Sequence, residues 1–417
     1  MRFDAYRRVL ALPGVLPLVL VTLLIRLPVT MGGITLTLHV ALGLDRGYGA
    51  AGLVGGAFTV GAAVGAPLLG RLVDRRGLRP MLVLTTSAAG VFWFAVPVLP
   101  YHGLLVAALF GGLLAIPIFS VIRQSLAALV PEAHRKAAYS IDSMSTELSF
   151  MVGPALAVMV VTQVSSRAAA VFVGGSLVLA GAGLWLMNPP VRSAAEEQAV
   201  SGDRLSRRAW LRPRFVAVLL AALAATIVLS GSDIGVVAVL KDAGEVQWTG
   251  LVLALWAGYS LVGGFVYGAI RHSPHPLVLA GLLGAATIPV GLATGWVGLS
   301  LLLIPAGALC APTLAAVADA VSRLVPAQAR GEAMGLYGSA MTIGMALGAP
   351  LAGAVADRAG AGWSFVAVGT VGVLLALAGL AANHHANRQA ARAPGSASRA
   401  AGTAPATAAE RQAVSAP

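Results

Sequence analysis

Gly70-Arg71-Leu72-Val73-Asp74-Arg75-Arg76-Gly77-Leu78-Arg79 lies between two helix-length apolar runs, 50–70 and 80–99. Four arginines and one aspartate crowd a stretch too short to fold by itself. The run on each side is long enough to cross a hydrocarbon core, which takes about 20 apolar residues. A charged turn between two bilayer-length rods is the sequence pattern of a polytopic membrane protein.

The rest of the chain agrees. Of 417 residues, 58% are hydrophobic and only 11% charged, with a mean hydropathy of +0.85. Water-soluble chains carry roughly a quarter charged residues. No aqueous core could hide so much apolar surface, so lipid must serve as solvent for much of it. The net charge of +12 does not indicate nucleic acid: the basic residues form short clusters between apolar runs, with no basic domain and no interleaved aromatics. Cys310 is the single cysteine, which excludes an intramolecular disulfide and reads as a small packing residue. The basic segment 1–8 precedes an apolar run that continues to about residue 40, longer than a signal h-region, so the run is expected to remain as the first span.

Apolar runs at 14–40, 50–70, 80–99, 103–129, 138–162, 168–187, 214–240, 248–270, 277–294, 297–322, 332–356 and 362–382 predict twelve transmembrane helices. With the N-terminus inside, inward segments hold 22 Lys and Arg and outward loops hold 4, namely Arg46, Arg167, Lys241 and Arg358. The positive-inside rule then places both termini in the cytoplasm. Residues 188–212, with Asn188-Pro189-Pro190 and a run of arginines, read as a cytoplasmic linker between halves 1–187 and 213–385. Residues 386–417, rich in Ala, Pro, Ser, Gly and Arg, read as a disordered tail. Internal similarity supports the division. Leu129-Val130-Pro131-x-x-x-Arg135 recurs 195 residues later as Leu324-Val325-Pro326-x-x-x-Arg330, and Gly153-Pro154-Ala155-Leu156-Ala157 has a counterpart in Gly348-Ala349-Pro350-Leu351-Ala352.

The opening stretch fits Gly-x-Leu-x-Asp-Arg-x-Gly followed by basic residues, with Gly70, Leu72, Asp74, Arg75, Gly77 and Arg79 in register. It resembles the signature loop between the second and third helices of major facilitator superfamily transporters, and the repeated six-span halves agree with that class. The resemblance implies an all-α membrane fold of two pseudo-symmetric six-helix bundles. It also implies a latch built on Gly70, Asp74, Arg75, Gly77 and Arg79 that holds the halves in one conformation. In the second half Gly268-Ala269-Ile270-Arg271-His272 aligns with Gly70 to Asp74, with His272 in place of the aspartate, so any latch is expected to rest on the first half.

Ionisable residues at membrane depth are costly and mark function. Arg26 lies about twelve residues into the first span, roughly 18 Å from its inner end at ~1.5 Å per residue. Its side chain reaches only about 7 Å, too short to snorkel to an interface about 15 Å away. Glu147, about nine residues into the fifth span, lies at similar depth, and the two are expected to share the central cavity. Either they alternate between pairing with each other and with substrate, or Glu147 carries a coupled proton; a static salt bridge pinning the two helices is the other reading. Asp233, within Ser230-Gly231-Ser232-Asp233, is a third cavity candidate. Asp142 and Arg123 read as interfacial charges near the latch, and Asp319 and Arg323, one helical turn apart, as a local pair.

Gly153-Pro154 resembles a Gly-Pro motif of drug–proton antiporters, where small residues permit close helix contact. The fourth-span arginine of those antiporters has no match at Ala108 in Leu104-x-x-x-Ala108-x-x-Gly111-Gly112. Trp256, Tyr259, Tyr337 and Phe58 lie in spans expected to approach the cavity or helix contacts.

No enzyme, metal or cofactor motif is present: the histidines have no zinc spacing and no phosphate-binding glycine loop follows a strand. The expectation is a bacterial inner-membrane secondary transporter, acting as a monomer with the bilayer, protons and a small molecule as partners. Proton-coupled efflux of an amphipathic drug or metabolite is the leading reading. Uptake of a sugar or other metabolite, and a non-transporting membrane sensor or scaffold, are the alternatives.

Overall fold

The computed structural model describes residues 4–193, 207–270 and 274–392, and among them only helices and turns occur. Most of the linker, the Arg271-His272 pair and the tail beyond 392 lie outside the described residues. The first half contains α1 (Asp4–Leu10), α2 (Val15–Leu38), α3 (Gly47–Arg76), α4 (Leu78–Ala95), α5 (Tyr101–Leu113), α6 (Ile118–Leu129), α7 (Glu132–Gln163) and α8 (Ser166–Met187). A short α9 (Arg207–Trp210) leads into α10 (Pro213–Asp242), α11 (Thr249–Ala269), α12 (Pro276–Thr287), α13 (Gly295–Leu324), α14 (Arg330–Ala359) and α15 (Ala361–Arg392).

Eleven of the spans are long and apolar enough to cross a membrane, and the shorter apolar stretch Pro276–Leu292 occupies the place of the ninth. That stretch ends in a 3-10 turn, Ile288–Leu292, whose steeper rise of about 2.0 Å per residue brings it to roughly 28 Å. Lipid-facing chemistry is evident along the rods: Val91, Leu179 and Leu292 are 74%, 76% and 81% exposed. Side chains of that kind need hydrocarbon rather than water around them.

Three boundaries differ from the sequence expectation. The fourth span is broken: α5 and α6 are separated by Leu114–Pro117, because Pro117 lacks the N–H that would continue the ladder. The signature stretch is mostly helix, not loop. α3 runs through Arg76, and the whole turn is Gly77, whose φ of +81° only glycine adopts without strain. At the other end, α15 continues past 386 to Arg392, since Ala, Arg and Gln favour helix and no Gly or Pro intervenes before Pro394.

The packing is two-fold in pattern. Within the first half α2 packs on α7 and α8, α3 on α5, and α4 on α8; within the second, α10 packs on α14 and α15, α11 on α13, and α12 on α15. Between halves, α3 against α14 mirrors α11 against α7. The sequence repeat is also a backbone repeat. Val130 (φ −106°, ψ 124°) and Pro131 (φ −53°, ψ 146°) match Val325 (φ −120°, ψ 132°) and Pro326 (φ −57°, ψ 152°). Each pair turns the chain from a span into the next helix, where the fixed φ of proline suits an N-terminal entry.

Candidate functional site

The halves are joined at one end. Asp74, near the end of α3, accepts hydrogen bonds from the backbone N–H groups of Gly331 and Glu332, both at 2.8 Å. It thereby caps the first turn of α14 in the opposite half, where an anion faces the positive end of the helix dipole. The close approach depends on glycine: a Cβ at Gly70 would fall on the Gly331 carbonyl, and one at Gly331 on the Gly70 carbonyl. Arg71 grips Glu332 with two bonds of 3.1 and 2.7 Å, a fork that lysine could not reproduce. Arg207, from α9, pairs with the same carboxylate, and Arg192 donates to the Asp74 carbonyl at 2.6 Å. The linker flanks thus brace the closure, each from its own half.

Further bonds extend this seam. Ser339 donates to the Ala63 carbonyl at 2.6 Å, Ser120 to the Met334 carbonyl at 2.9 Å, and Lys136 to the Ile270 carbonyl at 2.8 Å. Arg323 joins Asp319 on its own helix (2.9 Å) to Glu132 across the interface (2.6 Å). Inter-half bonds therefore gather on Tyr6 and residues 63–74 and 120–136 of one half and on 264–270 and 323–341 of the other. Of the residues expected in the latch, Gly70, Asp74 and Gly77 lie in this seam or at its turn. Arg75 is exposed, and Arg79 instead stacks 5.1 Å over Trp185 within its own half. Arg71 and Glu332 were missed. The signal was available in the first turn of the helix after the Val-Pro repeat, where Glu332 is the acidic residue.

The expected pairing of Arg26 with Glu147 is not what forms. Arg26 is fully buried and pairs with the Asp142 carboxylate, donating also to the Asp142 carbonyl at 3.0 Å. Arg123 donates to the other Asp142 oxygen at 2.9 Å. The correction has a geometric cause. Asp142 and Glu147 are five residues apart on one helix, so they differ by about 140° in direction and 7.5 Å in height. Depth alone could not choose between them. Asp142 also lies deeper than the hydropathy run implied, because α7 begins at Glu132 and its polar first turns escaped the apolar window. Asp142, Thr146, Ser149 and Gly153 form a small and polar stripe at helical spacing, and Thr30 of α2 donates to the Ser149 carbonyl at 2.9 Å. Gly153 belongs to the same contact, since a Cβ there would fall on the Thr30 hydroxyl; Pro154 follows it inside the helix.

Arg123 likewise is no interfacial charge. It is fully buried on the second piece of the fourth span, 4.8 Å over the ring of Tyr337 from α14. The fourth span does carry a buried arginine, at 123 rather than at Ala108. Two guanidinium groups share one carboxylate, and Arg26 Nε and Arg123 Nη2 have no hydrogen-bond partner.

Glu147 faces the other way. Met144, one turn below it, abuts Gly264 of α11, and Ser260 stands one turn above Gly264. This register puts the Glu147 carboxyl beside the Ser260 hydroxyl, which itself accepts the Ala311 N–H at 3.2 Å. Asp233, from α10 of the second half, acts electrostatically on Glu147, and both act on Cys310. Asp233 is exposed and Glu147 half-buried, each deep along its own span. Trp256 lies against the Cys310 thiol and Tyr259 against Gly307, whereas Phe58 packs on Phe92 and Tyr337 lies sealed beneath Arg123. Among the described residues no group of three or more His, Cys, Asp or Glu is arranged to hold a metal ion.

No curated protein sequence matches the chain. Among solved structures, the human organic anion transporter MFSD10 (TETRAN) superposes with a TM-score of 0.66 at 18% identity, covering 89% of this chain and 99% of that one. The E. coli fucose:proton symporter FucP gives 0.65 at 16% identity, over 87% and 98%. The proton:xylose symporter XylE, bound to 6-bromo-6-deoxy-D-glucose, gives 0.61 at 16% identity, over 87% and 94%. At such identities the likeness is one of fold. The family model described as Major Facilitator Superfamily matches residues 18–242 and again residues 215–415. Twelve spans in two-fold arrangement, a seam closed at one end and this double match together identify the chain as a membrane transporter that belongs to the major facilitator superfamily.

Proposed function

We propose that the protein is a proton-coupled exporter of a small amphipathic molecule, working as a monomer in a bacterial inner membrane with both termini cytoplasmic. The halves rock about the central cleft, so that its floor faces one side of the membrane at a time. What supports this reading is closure at the Asp74 end together with Glu147 and Asp233, carboxylates from opposite halves that lie deep in their spans. In the closed-seam state that floor faces away from Asp74, which positive charge bias puts on the cytoplasmic side.

Two like charges in a low-dielectric cleft repel, and binding a proton relieves the repulsion. Asp233 acts on Glu147 as a like charge, so protonation of either carboxyl is the relief this reading uses. Proton entry from one side and release on the other then drives the solute the opposite way. Gly153-Pro154, which tightens α7 onto α2, adds modest support for the exporter reading.

The purified protein in liposomes under an imposed pH gradient tests it. Solute movement opposite to the protons is the expected result. Movement in the same direction would establish uptake, and no movement for any member of a broad panel would favour a non-transporting protein.

A further inference from the structure

The two seams between halves use equivalent helices with opposite chemistry. In the first, Asp74 near the end of α3 offers its carboxylate to the N–H groups that open α14. In the second, α11 meets α7, and His272 stands where that aspartate would, by the alignment of 268–272 with 70–74. At the repeat offset of 195 residues, Lys136 is the counterpart of Gly331, whose N–H Asp74 caps. Lys136 donates from Nζ to the carbonyl of Ile270, the residue that ends α11, at 2.8 Å. The same ammonium lies 4.2 Å from the centre of the Tyr267 ring.

A second donor comes from α1, which packs on α7 of its own half and on α11 of the other. Tyr6 is buried, with its ring stacked on that of Phe265 at 5.0 Å. Its hydroxyl donates to the Phe265 carbonyl at 2.5 Å, and the Gly264 carbonyl lies 3.1 Å away. Glycine permits this contact as it permits the first. A Cβ at Gly70 would fall on a carbonyl of α14, whereas one at Gly268, its aligned counterpart, would fall on the Tyr6 hydroxyl. Where the first seam closes backbone to backbone, the second holds an aromatic side chain in the gap. Hydrogen-bond donors and cations suit a helix C-terminus for the reason that a carboxylate suits an N-terminus.

Resting on the rocking of the halves proposed above, we infer that Tyr6 and Lys136 form a second latch, in which donors of the first half hold the C-terminal end of α11 and keep the Asp74 end closed. They are positioning residues of the transport cycle, acting on the state of the halves rather than on the solute. The two latches work in parallel, so releasing the second loosens the first although α3 and α14 are untouched. The expectation that a latch rests on the signature stretch alone gives way to one latch per seam, each made from a different residue type.

Spin labels placed across the first seam, at Arg75→Cys and Gln328→Cys in a Cys310→Ser background of the full chain, give the test. A shift there reports motion of whole halves and not a local change around α1. Tyr6→Phe, which keeps the ring, and Lys136→Met, which keeps the stem, should each raise the ratio of long- to short-distance populations about five-fold, the size expected of one net hydrogen bond. Lys136→Arg should restore most of the closed population, because a guanidinium can donate to the same carbonyl and lie over the same ring. Lys136→Glu should open the seam further than Lys136→Met, since it sets an anion against carbonyl oxygens. Tyr6→Phe removes a single oxygen, which keeps the test clear of misfolding. Either Tyr6→Phe or Lys136→Met leaving the distribution unchanged while Gly70→Ala shifts it would overturn the inference and leave the rocking halves standing, as would Lys136→Glu no more open than Lys136→Met. No shift in any variant, Gly70→Ala included, would remove both.

Discussion

The guanidinium of Arg123 lies 4.8 Å over the ring of Tyr337, a residue of the opposite half, while its Nε donates to Asp142 at 2.9 Å. One side chain therefore belongs both to the ionic core of its own half and to the seam between halves. A movement of α14 away from α6 would take Tyr337 off Arg123, so this contact would link the ionic core to the state of the seam.

Removing the shared carboxylate should be severe. Asp142→Asn leaves two buried guanidinium groups without an anion, and breaking a buried pair in this way costs about 3–5 kcal/mol. Thermal unfolding in detergent should show a large fall in Tm. Combining Arg26→Met with Asp142→Leu removes the buried pair together and should recover part of it. A near-neutral Asp142→Asn would contradict the triad.

The glycine contact of the seam predicts a change of state rather than of stability. Gly70→Ala places a methyl on the Gly331 carbonyl, so α3 and α14 must part. Spin labels at Arg75→Cys and Gln328→Cys, in a Cys310→Ser background, should report a longer mean distance in Gly70→Ala than without it. An unchanged distance distribution would show that the seam tolerates the methyl.

Glu332 receives Arg71 and Arg207 together. Each is a partly exposed ion pair and should alone contribute less than about 1 kcal/mol. Arg71→Gln and Arg207→Gln should therefore each shift the open population slightly, and Glu332→Gln more than either. Asp74→Asn, which loses the charged cap of α14, should shift it by an amount equivalent to roughly 0.5–2 kcal/mol. Labelled pairs measured by the same distance method give the populations.

For coupling, Glu147→Gln should retain solute counterflow in liposomes without a gradient but lose acceleration by an imposed one, because the amide takes up no proton. Acceleration equal to wild type would remove Glu147 as a proton carrier.

The fold was largely legible because its determinants are one-dimensional. Apolar run length, arginine placement and the Val130-Pro131 and Val325-Pro326 repeats all lie along the chain, and each corresponds to a helix or turn in the structure. The site was legible only in part. Residue depth can be counted from sequence, which singled out Arg26, but direction around a helix decides partners, and Asp142 rather than Glu147 faces it. Arg71–Glu332 escaped for a related reason: the partners are 261 positions apart and meet only through the packing of α3 on α14. Asp74 was identified, yet its partners are backbone N–H groups of another helix, which no side-chain pattern announces.

The account depends on closure at the Asp74 end and access from the opposite one. Single cysteines at Val237→Cys, exposed one turn from Asp233, and Ser339→Cys, buried against Ala63, can be placed in a Cys310→Ser background and treated with a membrane-impermeant thiol reagent from each side. The expected result is labelling at 237 only from the side opposite Asp74, with 339 protected until Gly70→Ala opens the seam. Labelling at 237 from the Asp74 side, or equal reactivity at 339 with and without Gly70→Ala, would contradict it.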